Sequence, residues 1–87
     1  MASTSRERRT RLDVIASILN ACQYGTKKTH VMYLCNLSFK QLAGYLGLLL
    51  HANLILIEND RQSVLLKVSR KGKDFLRAYD DIKAMME

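Results

Sequence analysis

The chain contains no proline, so no residue in it forces a helix to break. Cysteine is scarce. Cys22 and Cys35 stand alone, without the paired CxxC spacing of a metal site, and each falls within an apolar helical pattern. They read as small buried hydrophobes, and nothing in them requires an oxidising compartment. Long apolar runs are missing too. The longest, Leu46 to Ile57, is broken by His51 and Asn53. It falls short of the roughly 20 residues that cross a bilayer, so no membrane span is expected. The N-terminal MASTSRERRTR lacks the apolar stretch of a signal peptide, which gives a cytoplasmic expectation. Catalytic chemistry is also absent from the pattern. His30 and His51 are isolated, Asp80–Asp81 lies on a charged helix face, and the glycines form no phosphate-binding loop. The expectation is a protein without catalytic residues, metal or cofactor.

What is present is a single globular domain, residues 1–87. Hydrophobic residues make up 48% and charged residues 25% of the 87 positions, a folded rather than a disordered composition. The net charge is +6. It is uneven: residues 1–40 hold seven Lys/Arg against Glu7 and Asp13, a net of +5, while residues 41–87 hold seven against six acids, a net of +1. A basic bias points to phosphate-bearing partners or an anionic surface, and for any one Lys or Arg the alternative is a solvated surface charge.

In chain order, the basic cluster Arg6, Arg8, Arg9 and Arg11 leads into a helix. Its apolar positions are Leu12, Ile15, Ala16, Ile18, Leu19 and Cys22, at a 3.6-residue period. Gly25 is the expected C-cap. The arginines oppose the helix dipole, so helix stability does not explain them. Thr26 is the expected N-cap of a short second helix, KKTHVMYLC, with Val31, Met32 and Leu34 inward. Leu37 plugs the following turn into the core.

The third helix is the most informative stretch. Ser38 is an N-cap candidate and Gln41, three residues on, completes a capping-box signature. Leu42, Leu46, Leu49 and Leu50 form one apolar stripe, and Lys40, Gln41, Gly44 and Tyr45 lie on a polar face. Asn53 closes the helix. LILIE (54–58) and SVLLKV (63–68) then read as two strands, the second with Val64, Leu66 and Val68 on one face. The turn is expected at Asn59–Gln62, with Asn59–Asp60 as turn chemistry. Ser69 caps a last helix whose apolar stripe is Phe75, Leu76, Tyr79, Ile82 and Met86. Gly72 inside it costs about 1 kcal/mol against Ala and suggests close approach of another backbone.

The expected fold is therefore mainly α with a small β-hairpin: a winged helix-turn-helix of three helices, a two-stranded wing and a C-terminal helix over 69–87. With RLDVIASILNAC, GTKKTHVMYLCNLSFKQLAGYL, a short hairpin and VSRKGKDFL in place, the chain resembles the small archaeal winged-helix DNA-binding proteins. That group includes the dimeric chromatin-type proteins of the Sulfolobales. The resemblance implies double-stranded DNA as ligand, a nucleoid-associated location, and often a homodimer through the C-terminal helix. The chain departs from the pattern in its short last helix and in Gly44 and Gly47, where larger side chains are usual.

On this reading the third helix enters the major groove, with Ser38, Lys40 and Gln41 best placed to reach base edges. Gln can pair with adenine, and Lys favours guanine O6/N7. Tyr45 is either core or groove-facing, while Phe39 reads as core. Arg8 and Arg9 contact the polyanion, Lys27 and Lys28 hold phosphates, and Arg61 at the wing tip meets the flanking groove or backbone. Tyr79, Ile82, Met85 and Met86 form the expected dimer interface; the alternative is a helix folded back on its own domain. The competing function is a protein-interaction winged helix in a larger complex, using the last helix and Leu48.

Overall fold

The computed structural model describes residues 9–87, so the expectation for Arg8 lies outside the described residues. Helix α1 spans Arg11–Ala21, α2 Lys28–Cys35 and α3 Phe39–His51. Strands β1 (Ile55–Asp60) and β2 (Ser63–Val68) form an antiparallel hairpin, and α4 spans Arg70–Met85. This is the expected order of three helices, wing and C-terminal helix.

Local chemistry sets most helix starts. Thr10 caps α1 through a capping box: its Oγ1 accepts from Asp13 N at 3.0 Å and its N–H donates to Asp13 Oδ2 at 3.1 Å. Ser38 and Gln41 form the same reciprocal pair at the start of α3, as expected. Ser69 caps α4 by accepting from Gly72 N at 2.9 Å.

Two asparagines end helices in the left-handed region. Asn53 (φ 62) closes α3, with Leu54 N–H donating to Leu49 O and Asn53 N–H to Leu50 O, a Schellman arrangement. Asn36 (φ 55) does the same for α2, with Leu37 N–H donating to Met32 O. That bond seats Leu37 against the core.

One core unites the elements. Ile18, Leu19, Cys22, Val31, Leu42 and Leu49 are completely buried, joined by Ile55, Leu66, Val68 and Leu76. Burial pushes the Cys22 thiol up to about 12 and raises Cys35 as well, so both act as apolar packing.

Several expectations are corrected. Helix α1 ends at Ala21, before Gly25, whose positive φ of 86 serves the connecting loop instead. Thr26 does not cap α2. Its backbone bridges Leu66 (N–H to O 2.9 Å, and back at 2.8 Å) and its hydroxyl donates to Ala21 O, a single-residue antiparallel bridge beside the wing. Lys27 stands at the N-cap, with no side-chain bond.

Leu12, Leu34 and Phe39 are half or more exposed, not inward. Helix α2 meets the core through buried Val31 and Cys35 and half-buried Met32, and Leu34 lies to the side of that line. The hairpin turn is tighter than expected. Asp60 pairs with Ser63, so Asn59 and Asp60 are strand residues and only Arg61–Gln62 turn. Val64 is exposed because the outer half of the hairpin stands beyond the body of the domain, while Leu66 and Val68 on the same face are buried.

Candidate nucleic-acid interface

Helix α3 is held at both ends. Its start is fixed by the Ser38–Gln41 box. Its end is tied to α4 by four contacts: Lys71 Nζ donates to Ala52 O (2.9 Å), Ser69 Oγ to Asn53 O (2.6 Å), Ser69 N–H to Leu54 O (3.0 Å), and Gly72 packs on the Leu54 carbonyl. Leu42, Leu46 and Leu49 anchor its inner face. The outer face that remains carries Lys40, Gln41, Gly44, Gly47 and Leu48, all exposed. Both glycines are open: a Cβ added at either would meet nothing within 4 Å.

The box constrains two of the expected readers. Gln41 Oε1 accepts from Ser38 N–H at 2.9 Å and Ser38 Oγ from Gln41 N–H at 3.1 Å. One acceptor position of Gln41 Oε1 is therefore taken by the cap, while its amide N–H groups make no bond among the described residues. Lys40 carries no such tie. Tyr45 is half-buried against the core, and its remaining surface lines the outer side of α3.

Around α3 the remaining cations differ in freedom. Lys28 Nζ sits 4.6 Å from the centroid of the Phe39 ring, joining the first turns of α2 and α3 and giving the exposed ring a cation–π partner. Arg9 Nη1 donates to Cys35 O at 2.9 Å, so part of its guanidinium completes the C-terminus of α2. Lys27 is exposed. Arg61 stands at the wing tip in a left-handed backbone conformation (φ 52). Arg11 belongs to the basic cluster that the sequence offers to a polyanion; its place opposite α3 is what the sequence did not assign. It faces Lys40, Gln41, Gly44, Tyr45 and Leu48 across a concavity of about 310 Å³ between α1 and α3.

The electrostatics are one-sided. No Asp or Glu occurs between Asp13 and Glu58, so α2, α3 and their connections are free of carboxylates. This run was the available sequence signal for which face is cationic. On the wing, Lys67 and Glu58 approach at 4.0 Å, an exposed pair of small energetic weight. The other flank of α3, toward the wing, is an apolar groove of about 380 Å³ lined by Lys28, Ala43, Leu46, Gly47, Leu50, Ile57, Val64 and Leu66.

The α4 stripe lies apart from this face. Ile82, Met85 and Met86 are 55%, 78% and 80% exposed. Tyr79 is half-buried instead, its hydroxyl donating to the Asp13 carboxylate of α1. That hydrogen bond is the first cause of two shifts. It lowers the Asp13 carboxyl and raises the Tyr79 phenol to about 12. Among the described residues no helix is long and apolar enough to cross a membrane.

Comparison with known proteins agrees with this architecture. A family model described as winged helix-turn-helix matches residues 8–87. The fold is similar to that of Sso10a-2, a DNA-binding protein from Sulfolobus solfataricus, with a TM-score of 0.79 at 18% identity over 90% of this chain and 82% of that one. It is also similar to a protein of unknown function from Listeria innocua Clip11262, with a TM-score of 0.71 at 20% identity over 94% of this chain. The match spans 58% of that longer protein. At these identities the likeness is one of fold. No curated protein matches the chain.

Proposed function

The chain belongs to the winged helix-turn-helix family, and from that premise we propose that it is a non-catalytic double-stranded DNA-binding protein with α3 in the major groove and the wing on the flanking groove. The carrying observation is the carboxylate-free run from α1 to the wing, with Lys27, Lys28 and Lys40 on its surface. A phosphate backbone approaching α3 meets cations and no like charge. The likeness to Sso10a-2, itself a DNA-binding protein, supports the same reading.

Lys40 is the side chain of the α3 start left free to reach both base edges and the flanking backbone, since the cap holds Ser38 and Gln41. Lys27, Lys28, Arg61 and the free part of Arg9 are backbone contacts. The role is that of a regulator or small chromatin protein acting in the cytoplasm at the nucleoid. The exposed Ile82, Met85 and Met86 make α4 the candidate homodimer surface, with the edge of Tyr79 beside it. A protein-interaction module would use that same stripe and Leu48.

The test is duplex DNA binding across a salt series. With about four phosphates neutralised per chain, log affinity should fall with log salt at a slope of about −4. Absence of binding at 50 mM salt, or a flat slope, would sink the reading in favour of the protein-interaction module.

A further inference from the structure

The concavity between α1 and α3 has a composition that the expected contacts do not use. Arg11 stands on its α1 side, and Lys40, Gln41, Gly44, Tyr45 and Leu48 on its α3 side. We propose that this concavity seats a backbone phosphate of the bound duplex, held between the Arg11 guanidinium and the Lys40 ammonium. The proposal rests on the DNA reading above and adds a contact from the first helix.

Three observations carry it. The first is geometric. An α-helix with its side chains is about 10–12 Å across and the major groove about 12 Å wide, so α3 alone fills the groove. Whatever flanks α3 then stands over a groove wall, which is sugar and phosphate. The concavity is such a flank, because one side of it belongs to α1.

The second is chemical. Guanidinium presents a planar fork that matches a phosphate, and an ammonium adds a second charge-assisted donor. The Tyr45 hydroxyl and the Gln41 amide N–H groups bring further donors, Gln41 being turned by its Oε1 bond to Ser38. Among the described residues no carboxylate lines the space. The opposite flank, toward the wing, is apolar apart from Lys28, so the two sides of α3 are chemically distinct.

The third is the placement of Arg11 itself. At the first residue of α1 a cation opposes the helix dipole. Other cations have duties inside the fold: Arg9 with Cys35 O, Lys28 with Phe39, Lys71 with Ala52 O. Among the described residues Arg11 and Lys40 make no side-chain hydrogen bond or ion pair; both remain available to a ligand.

The test uses the full chain, two unrelated 20-base-pair duplexes and fluorescence anisotropy at several salt concentrations. Arg11→Ala should lower affinity about tenfold at 100 mM salt, reduce the log–log slope by about 0.9, and do so equally on both duplexes. Arg11→Lys should keep the slope. The thermal midpoint of neither variant should fall below the parent's, since among the described residues Arg11 makes no side-chain bond and its charge opposes the helix dipole. If the parent binds DNA and Arg11→Ala keeps its slope and affinity, the phosphate seat is overturned and the DNA reading stands. A loss confined to one duplex would make Arg11 a base reader, which also overturns it. If the parent binds neither duplex, both readings fall together.

Discussion

Gly72 of α4 packs its Cα directly on the carbonyl oxygen of Leu54, at the point where α3 gives way to the wing. A Cβ there would overlap that oxygen and stand 2.6 Å from Val68 Cγ2. The same residue donates its N–H to the Ser69 cap. The glycine thus lets the start of α4 close against the end of the reading helix.

Gly72→Ala should accordingly reverse the usual effect of that substitution. Alanine ordinarily stabilises a helix by about 1 kcal/mol over glycine. Here the backbone contact must open, and a loss of about 1–3 kcal/mol is expected from overpacking against main chain. Urea unfolding measures it. A midpoint equal to or above the parent would contradict the contact.

Gly44→Ala is the matching opposite case. Nothing lies within 4 Å of its Cβ position, so the ordinary propensity gain should appear in full, about 0.5–1 kcal/mol, in the same urea experiment. Two glycines in two helices of one protein should therefore give opposite signs. A loss at Gly44 would mean that something in the fold approaches α3 there.

Gln41→Glu separates stability from binding. Glutamate preserves the capping box with Ser38 and adds negative charge at a helix N-terminus, a gain of about 0.3–1 kcal/mol. The same charge faces the DNA phosphates, and affinity should fall about tenfold at 100 mM salt. Ser38→Ala should lower stability by about 1 kcal/mol. Calorimetry and anisotropy on the same samples check both. Unchanged DNA affinity in Gln41→Glu would place the α3 N-terminus off the DNA.

The Tyr79–Asp13 hydrogen bond should give stability two pH limits. The Asp13 carboxyl is lowered, first by Tyr79 and then by its bonds to Thr10. Its contribution is present above the ordinary carboxyl pKa of about 3.9 and is lost as pH falls through the lowered folded value. The Tyr79 phenol is raised to about 12. Its contribution is present below the ordinary value of about 10 and is lost as pH rises from there toward 12. Tyr79→Phe should abolish the alkaline loss and reduce the acid one, the Thr10 box remaining. Thermal midpoints at pH 3, 7 and 11 report this; parallel curves for parent and variant would show that the pair carries no coupling.

Ile82→Glu tests the dimer proposal. Ile82 is 55% exposed, so a charge there should leave the isolated domain folded. Sedimentation should show the parent as a dimer and the variant as a monomer, with weaker DNA binding because two half-sites no longer act together. A monomeric parent would remove the proposal.

The parts of this fold that are legible in the sequence rest on neighbours in the chain. The Ser38–Gln41 box, the Leu42–Leu46–Leu49 stripe, the Asn53 stop, the hairpin and the Ser69 cap all involve residues separated by three or four positions, or strands joined by a short turn. Helical and extended periods expose such relations directly. Misplaced features had the opposite character. Thr26 has good capping chemistry, but Leu66, forty positions away, takes its backbone groups. Leu12, Leu34 and Phe39 are apolar, yet burial depends on which helix faces are covered, and these three are not. The wing turn moved to Arg61–Gln62 because pairing between whole strands outweighed the local preference at Asn59–Asp60.

The candidate site divides in the same way. Lys27, Lys28, Lys40 and Arg61 could be named from the positions of charges along predicted elements. That Gln41 is held by its own cap follows from a motif already visible in the sequence, although its effect on base reading needs the observed bonds. That Gly72 admits another backbone was legible in the sequence; that this backbone is Leu54's, and that Arg11 stands across from Lys40, was not, because each joins two elements whose packing only the assembled core sets. By itself the sequence determined the helices, their caps, the hairpin and the sign of the surface charge, through short-range periodicity and composition. The tertiary structure alone decided which charges share a face and which apolar side chains remain outside, because those depend on contacts between residues far apart in the chain.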